Sequence, residues 1–118
     1  MINKPRAISI GPHDIYLLDQ WGRQLTEAFG AGVVLVGSVA RGEKDWRDVD
    51  IRMPLPKSMT RMSDHAIRAL NLAVALWGRQ VTALPIDFQM QRVEEFESYA
   101  DYIRNPMGPR SKTGGVMG

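Results

Sequence analysis

The chain has 118 residues and no cysteine, with 44% hydrophobic residues, 24% charged residues and a formal net charge of +2. That length supports one domain around one core and not two, and the composition excludes a disordered or fibrous chain. The missing thiols exclude disulfides, thiolate metal sites and cysteine nucleophiles, and the scattered Lys and Arg form no basic stripe of the kind that tracks nucleic-acid phosphates.

Met1 to Arg6 is followed by no long apolar run, so neither a signal peptide nor a membrane span is expected and a cytoplasmic location fits. Ala7 to Ile10 reads as a further edge strand. From His13 to Phe29, Ile15, Leu18, Trp21, Leu25 and Phe29 recur three or four apart, which predicts a first helix with one apolar face. Gly30 and Gly32 stop it, because glycine accepts the left-handed conformation found just past helix ends. Val33-Val34-Leu35-Val36 is a short β-branched run, expected as a strand buried on both sides, and Gly37 turns the chain sharply after it.

Asp48 to Met53 alternates, with Asp48, Asp50 and Arg52 on one side and Val49, Ile51 and Met53 on the other, which predicts a strand with one wet face. Pro54 and Pro56 end it, since proline cannot donate to a ladder. Ser63 can cap a helix whose stripe is Ile67, Leu70, Val74 and Trp77. Leu84 to Gln91 alternates again, with Ile86, Phe88 and Met90 opposite Asp87, Gln89 and Gln91. A last helix is expected from Val93 to Arg104, with Glu94, Glu95 and Glu97 at its positive end. The expectation is an α+β domain of order α-β-α-β-α-β-α with a small mixed sheet over residues 1–104, and a Gly- and Pro-rich tail over 105–118.

Residues two apart in a strand share a face, which sets Asp48 and Asp50 side by side about 7 Å apart at roughly 3.3 Å per residue. If the strand carrying Asp87 lies beside theirs, a third carboxylate joins, and like charges this close repel unless a cation compensates them. Oxygen-only ligands favour magnesium, with manganese as the second fit. The turn Gly37-Ser38-Val39-Ala40-Arg41-Gly42 leaves a buried strand and opens a short helix, so its N–H groups are candidates to hold phosphate oxygens. Gly37 allows close approach and Ser38 adds a hydroxyl, while Arg41 is taken as a third nucleotide-binding residue reaching the same anion, its other use being to fix the loop to a carboxylate.

Val-Gly-Ser, then Asp48-Val49-Asp50, then Ile86-Asp87-Phe88 after an intervening helix resembles the DNA polymerase β-like nucleotidyltransferase superfamily over roughly Val33 to Gln91. With Ala40-Arg41-Gly42 the resemblance is to its minimal, single-domain, antitoxin-like members; Arg47 stands where a Ser or Thr is common, and the loop Glu43 to Arg47 is short. The resemblance implies that Asp48 and Asp50 hold metal ions bridging the nucleotide phosphates, and that Asp87 binds the metal that activates the acceptor. It implies a two-metal, in-line transfer of a nucleoside monophosphate from a nucleoside triphosphate such as ATP to a hydroxyl on a protein, an RNA end or a small molecule. The alternative it leaves open is an antitoxin-like or catalytically degenerate nucleotide-binding module. Such a module acts through a protein partner, either a helical toxin of the HEPN type or a second copy of the chain.

Each motif alone has a plainer meaning. An Asp-x-Asp strand is most often a solvated sheet face, and a Gly-Ser pair after a strand is usually a turn; their order and placement together carry the reading. His13 and His65 are given surface or capping roles, Trp21 and Trp77 core roles, and Trp46, in the loop before Asp48, is a candidate for stacking on a base. Tyr99 and Tyr102 are read as packing or surface residues on the last helix.

Overall fold

The computed structural model describes residues 9–97. Helix α1 spans Pro12–Phe29, with Pro at the start where its missing N–H costs nothing. Gly30, at φ +73°, closes it with an N–H bond to the Thr26 carbonyl. Strand β1 (Val34–Val36) is buried throughout and runs directly into the four-residue helix α2 (Gly37–Ala40). Strand β2 (Val49–Pro54) leads through a 3-10 turn at Lys57–Met59 to helix α3 (Asp64–Thr82), where the Ser63 hydroxyl accepts the Ala66 N–H. Strand β3 (Ile86–Gln91) and helix α4 (Val93–Glu97) complete the described residues.

The sheet has the order β1-β2-β3, antiparallel between β1 and β2 and parallel between β2 and β3. This is a small α+β arrangement with a mixed sheet, in the expected element order. Parallel neighbours need a crossover, and α3 supplies it. The register pairs Val49 with Ile86 and Asp50 with Asp87, so the alternation in both strands is in phase. Val49, Ile51 and Met53 therefore share a buried face with Ile86, Phe88 and Met90.

Against that face pack α1 and α3. Trp21 is fully buried at the centre, edge-on to Trp77 at 6.0 Å and to Phe88 at 6.2 Å between ring centroids. Gly78 makes this possible, because a Cβ there would stand 2.6 Å from the Trp21 ring. Replacing Trp21 by Ala would cost roughly 3–5 kcal/mol on the usual scale for large aromatic truncations.

Two expectations need correction. The polar side of β2 is not simply wet, because Arg52 is buried along with the apolar residues around it. Ser9 and Ile10 form a bend and no strand; Ala7 and Ile8 lie outside the described residues. The last helix is described only to Glu97, so its continuation to Arg104, Tyr99 and Tyr102 on it, and the 105–118 tail all fall outside them. Among the described residues no helix is long and apolar enough to cross a membrane.

Candidate active site

The polar side of the β2–β3 pair carries the candidate acids. Asp50 and Asp87 are direct register partners, so their side chains leave adjacent strands on the same side at the same level. They are near enough for Asp87 to act on the Asp50 carboxyl. The Asp50 carboxyl is pushed up from its ordinary 3.8 to about 6. Burial is the main cause; the Asp87 charge and hydrogen bond and the Asp48 charge add to it, while the Arg52 charge opposes it.

Asp48 is placed differently. It lies one residue before β2 and is exposed, near enough to act on the charge of Asp50. Among the described residues no three His, Asp or Glu side chains are gathered closely enough to hold an ion as they stand. The structure thus joins Asp50 to Asp87 and leaves Asp48 at the rim of the pair.

The turn before α2 is built around the same carboxylate. Val36 ends β1 opposite Asp50, and Gly37 follows with φ +76°, a left-handed conformation that suits glycine. A Cβ on Gly37 would collide with Oδ2 of Asp50. Fully buried Val39 and Ala40 anchor the short helix beneath. Main-chain bonds from Arg41 N–H to Gly37, Gly42 N–H to Val39 and Glu43 N–H to Ser38 fold the segment into a closed turn. The first N–H groups of a helix have no partner within it, and Gly37, where α2 begins, packs against Asp50. Ser38 is half-buried in that turn.

Arg41 is paired within its own loop. Its Nε donates to Glu43 Oε2 at 2.7 Å, which ties down the loop. That bond, with the charges of Glu43 and Asp50, holds its guanidinium above the ordinary arginine value. Trp46 is half-buried against the core, which is the packing role and not an open stacking platform. His13 is exposed and His65 faces Arg68 at 3.0 Å on the surface of α3, in keeping with the plain reading of both.

Sequence reasoning missed Arg52. Its Nη1 donates to the Asp87 carbonyl at 2.7 Å and to the Ile51 carbonyl at 3.0 Å. Its Nη2 donates to Asp87 Oδ2 at 3.3 Å and lies 3.8 Å from Asp50 Oδ1. The alternation already set Arg52 on the face of Asp50; what the strand pattern lacked was the neighbour that buries it.

The donor set suits a hard divalent cation. Every candidate ligand is a carboxylate oxygen, and Asp48, Asp50 and Asp87 less the charge of Arg52 leave a formal excess of two negative charges. Asp87 also lines an open groove of about 340 Å³ between α3 and β3, bordered by Arg68, Asn71, Leu72, Arg79 and Phe88.

No family model matches the chain, and neither a curated protein nor a solved structure matches it.

Proposed function

We propose that this chain is a minimal nucleotidyltransferase of the DNA polymerase β-like kind, moving a nucleoside monophosphate from a nucleoside triphosphate to a hydroxyl acceptor. The observation that carries the reading is the meeting of the Gly37 turn with the Asp50–Asp87 pair. A left-handed glycine turn packed against Asp50 and the carboxyl of its register partner Asp87 share one location.

In this reading the N–H groups of the Gly37-Ser38 turn and the Ser38 hydroxyl hold phosphate oxygens. Asp48, Asp50 and Asp87 are the residues that would hold magnesium, with manganese the next fit. The bound ion would neutralise charge on the transferring phosphoryl group and the leaving pyrophosphate. Asp87 receives the acceptor hydroxyl and takes its proton. A new phosphoester bond forms at the α-phosphorus, the α–β phosphoanhydride bond breaks, and pyrophosphate departs. Asp48 must swing inward from the loop to join the pair.

The test is direct. The native chain, incubated with magnesium and each α-labelled nucleoside triphosphate plus candidate acceptors, should release pyrophosphate and label an acceptor. Asp50→Asn should abolish both. Label transfer that survives Asp50→Asn refutes the assignment.

A second reading is favoured by one feature. Leu72 and Leu76 are more than half exposed one turn apart on α3, with Trp77 partly exposed beside them. An apolar ridge of this kind suits contact with a helical protein, as in an antitoxin-like module. Co-purification with such a partner that survives Asp48→Asn, Asp50→Asn and is lost in Leu72→Glu, Leu76→Glu would favour contact over chemistry.

A further inference from the structure

We propose that Arg52 is a built-in counter-ion and positioning residue, holding Asp50 and Asp87 together before a divalent ion arrives, competing with that ion for them, and fixing Asp87 for transfer. The inference rests on the acid pair being the metal site argued above.

Two strands in this register deliver two carboxylates to one point whatever else is present. In a partly buried setting two ionised carboxylates at one point repel. Arg52 lies two residues beyond Asp50 on the same strand face and is one step along from both acids. Through Nη2 the guanidinium therefore engages the acid pair at Asp87 Oδ2 and Asp50 Oδ1, while Asp50 Oδ2 is packed against Gly37.

The anchoring is main-chain. Nη1 is bonded to the carbonyls of Ile51 and Asp87, so the head group is tied to both strands at once. A side chain so tied cannot follow the carboxylates when they turn toward an ion; the carboxylates must leave it. The arginine also grips Asp87 by backbone and side chain together, which a lysine, with no planar fork, cannot reproduce.

A merely structural ion pair would balance its charges. Here one guanidinium meets two carboxylates with a third acid close by, and the excess is negative. A bound cation would offset that excess.

The experiment follows thermal unfolding of the full chain in EDTA and then across a magnesium chloride titration, for the native protein, Arg52→Met and Arg52→Lys. Arg52→Met is expected to melt lower than the native protein in EDTA. It is expected to respond to magnesium at a midpoint on the order of tenfold lower, the scale of one nearby charge removed. Arg52→Lys keeps the charge and should respond near the native midpoint, while the turnover number for transfer falls about tenfold at unchanged KM for the nucleotide, the sign of lost positioning. A native protein that responds to magnesium together with an Arg52→Met that responds no more strongly overturns the counter-ion role alone. Full turnover in Arg52→Lys overturns the positioning role. A native protein with no response to magnesium overturns the metal site itself, and the counter-ion role with it.

Discussion

Gly37 and Asp50 are complementary: the side chain that Gly37 lacks is the space that the Asp50 carboxylate occupies. The two come from the end of β1 and from β2, and the antiparallel register sets Val36, just before Gly37, across from Asp50.

Gly37→Ala should therefore cost twice. The left-handed backbone is worth about 1–2 kcal/mol against any side chain, and the collision with Asp50 adds to it. Combined with Asp50→Ala, the substitution should cost only the backbone share. Denaturant unfolding of the two single variants and the double variant measures the coupling; simple additivity would mean that the two residues do not meet.

Asp50 makes stability depend on pH. Its folded value of about 6 lies above its ordinary 3.8, so between those values the folded chain keeps a proton that the unfolded chain releases. This contribution is fully present below about pH 4 and is lost as pH rises through 6. In EDTA the unfolding free energy of the native chain relative to Asp50→Asn should fall by about 2 kcal/mol from pH 4 to pH 7.5. Magnesium at pH 7.5 should restore part of it, and at pH 4.5 should do little, because the ion needs the ionised carboxylate. A pH-independent difference between the two proteins would count against the buried acid pair.

Gly78→Ala tests the packing that supports the site. Its Cβ would press on the fully buried Trp21 ring from the facing helix. Overpacking of this kind costs about 1–3 kcal/mol, and chemical denaturation should read that loss. An unchanged midpoint would mean that α1 and α3 do not approach at this point.

Asp87→Ala should leave the fold and nucleotide affinity largely intact while abolishing transfer. The Asp87 main-chain carbonyl still receives Arg52 in that variant, which limits the structural damage. A fully active Asp87→Ala would remove the residue from the mechanism.

Much of this was legible in the residues themselves. The period-two patterns at Asp48–Met53 and Leu84–Gln91 gave both strands, and with them the side on which Asp50 and Asp87 lie. Ser63 gave the start of α3 and Gly30 the end of α1. Arg52 was not legible, because burial of an outward-facing strand residue depends on which strand pairs beside it, and the sequence pattern carries no register. The Arg41–Glu43 bond was hidden for a related reason: two charges two residues apart meet only if the loop closes, as the Glu43 N–H to Ser38 bond makes it do. The alternation from Asp48 places that acid inside the cluster, but the strand begins one residue later and leaves Asp48 in the loop.

The most direct test of the account is calorimetric titration of the native chain and of Asp50→Asn with a non-hydrolysable nucleoside triphosphate, each with magnesium and with EDTA. The account predicts saturable binding by the native chain only with magnesium, and none by the variant. Equal binding by both proteins, or binding by the native chain that ignores the chelator, would contradict it.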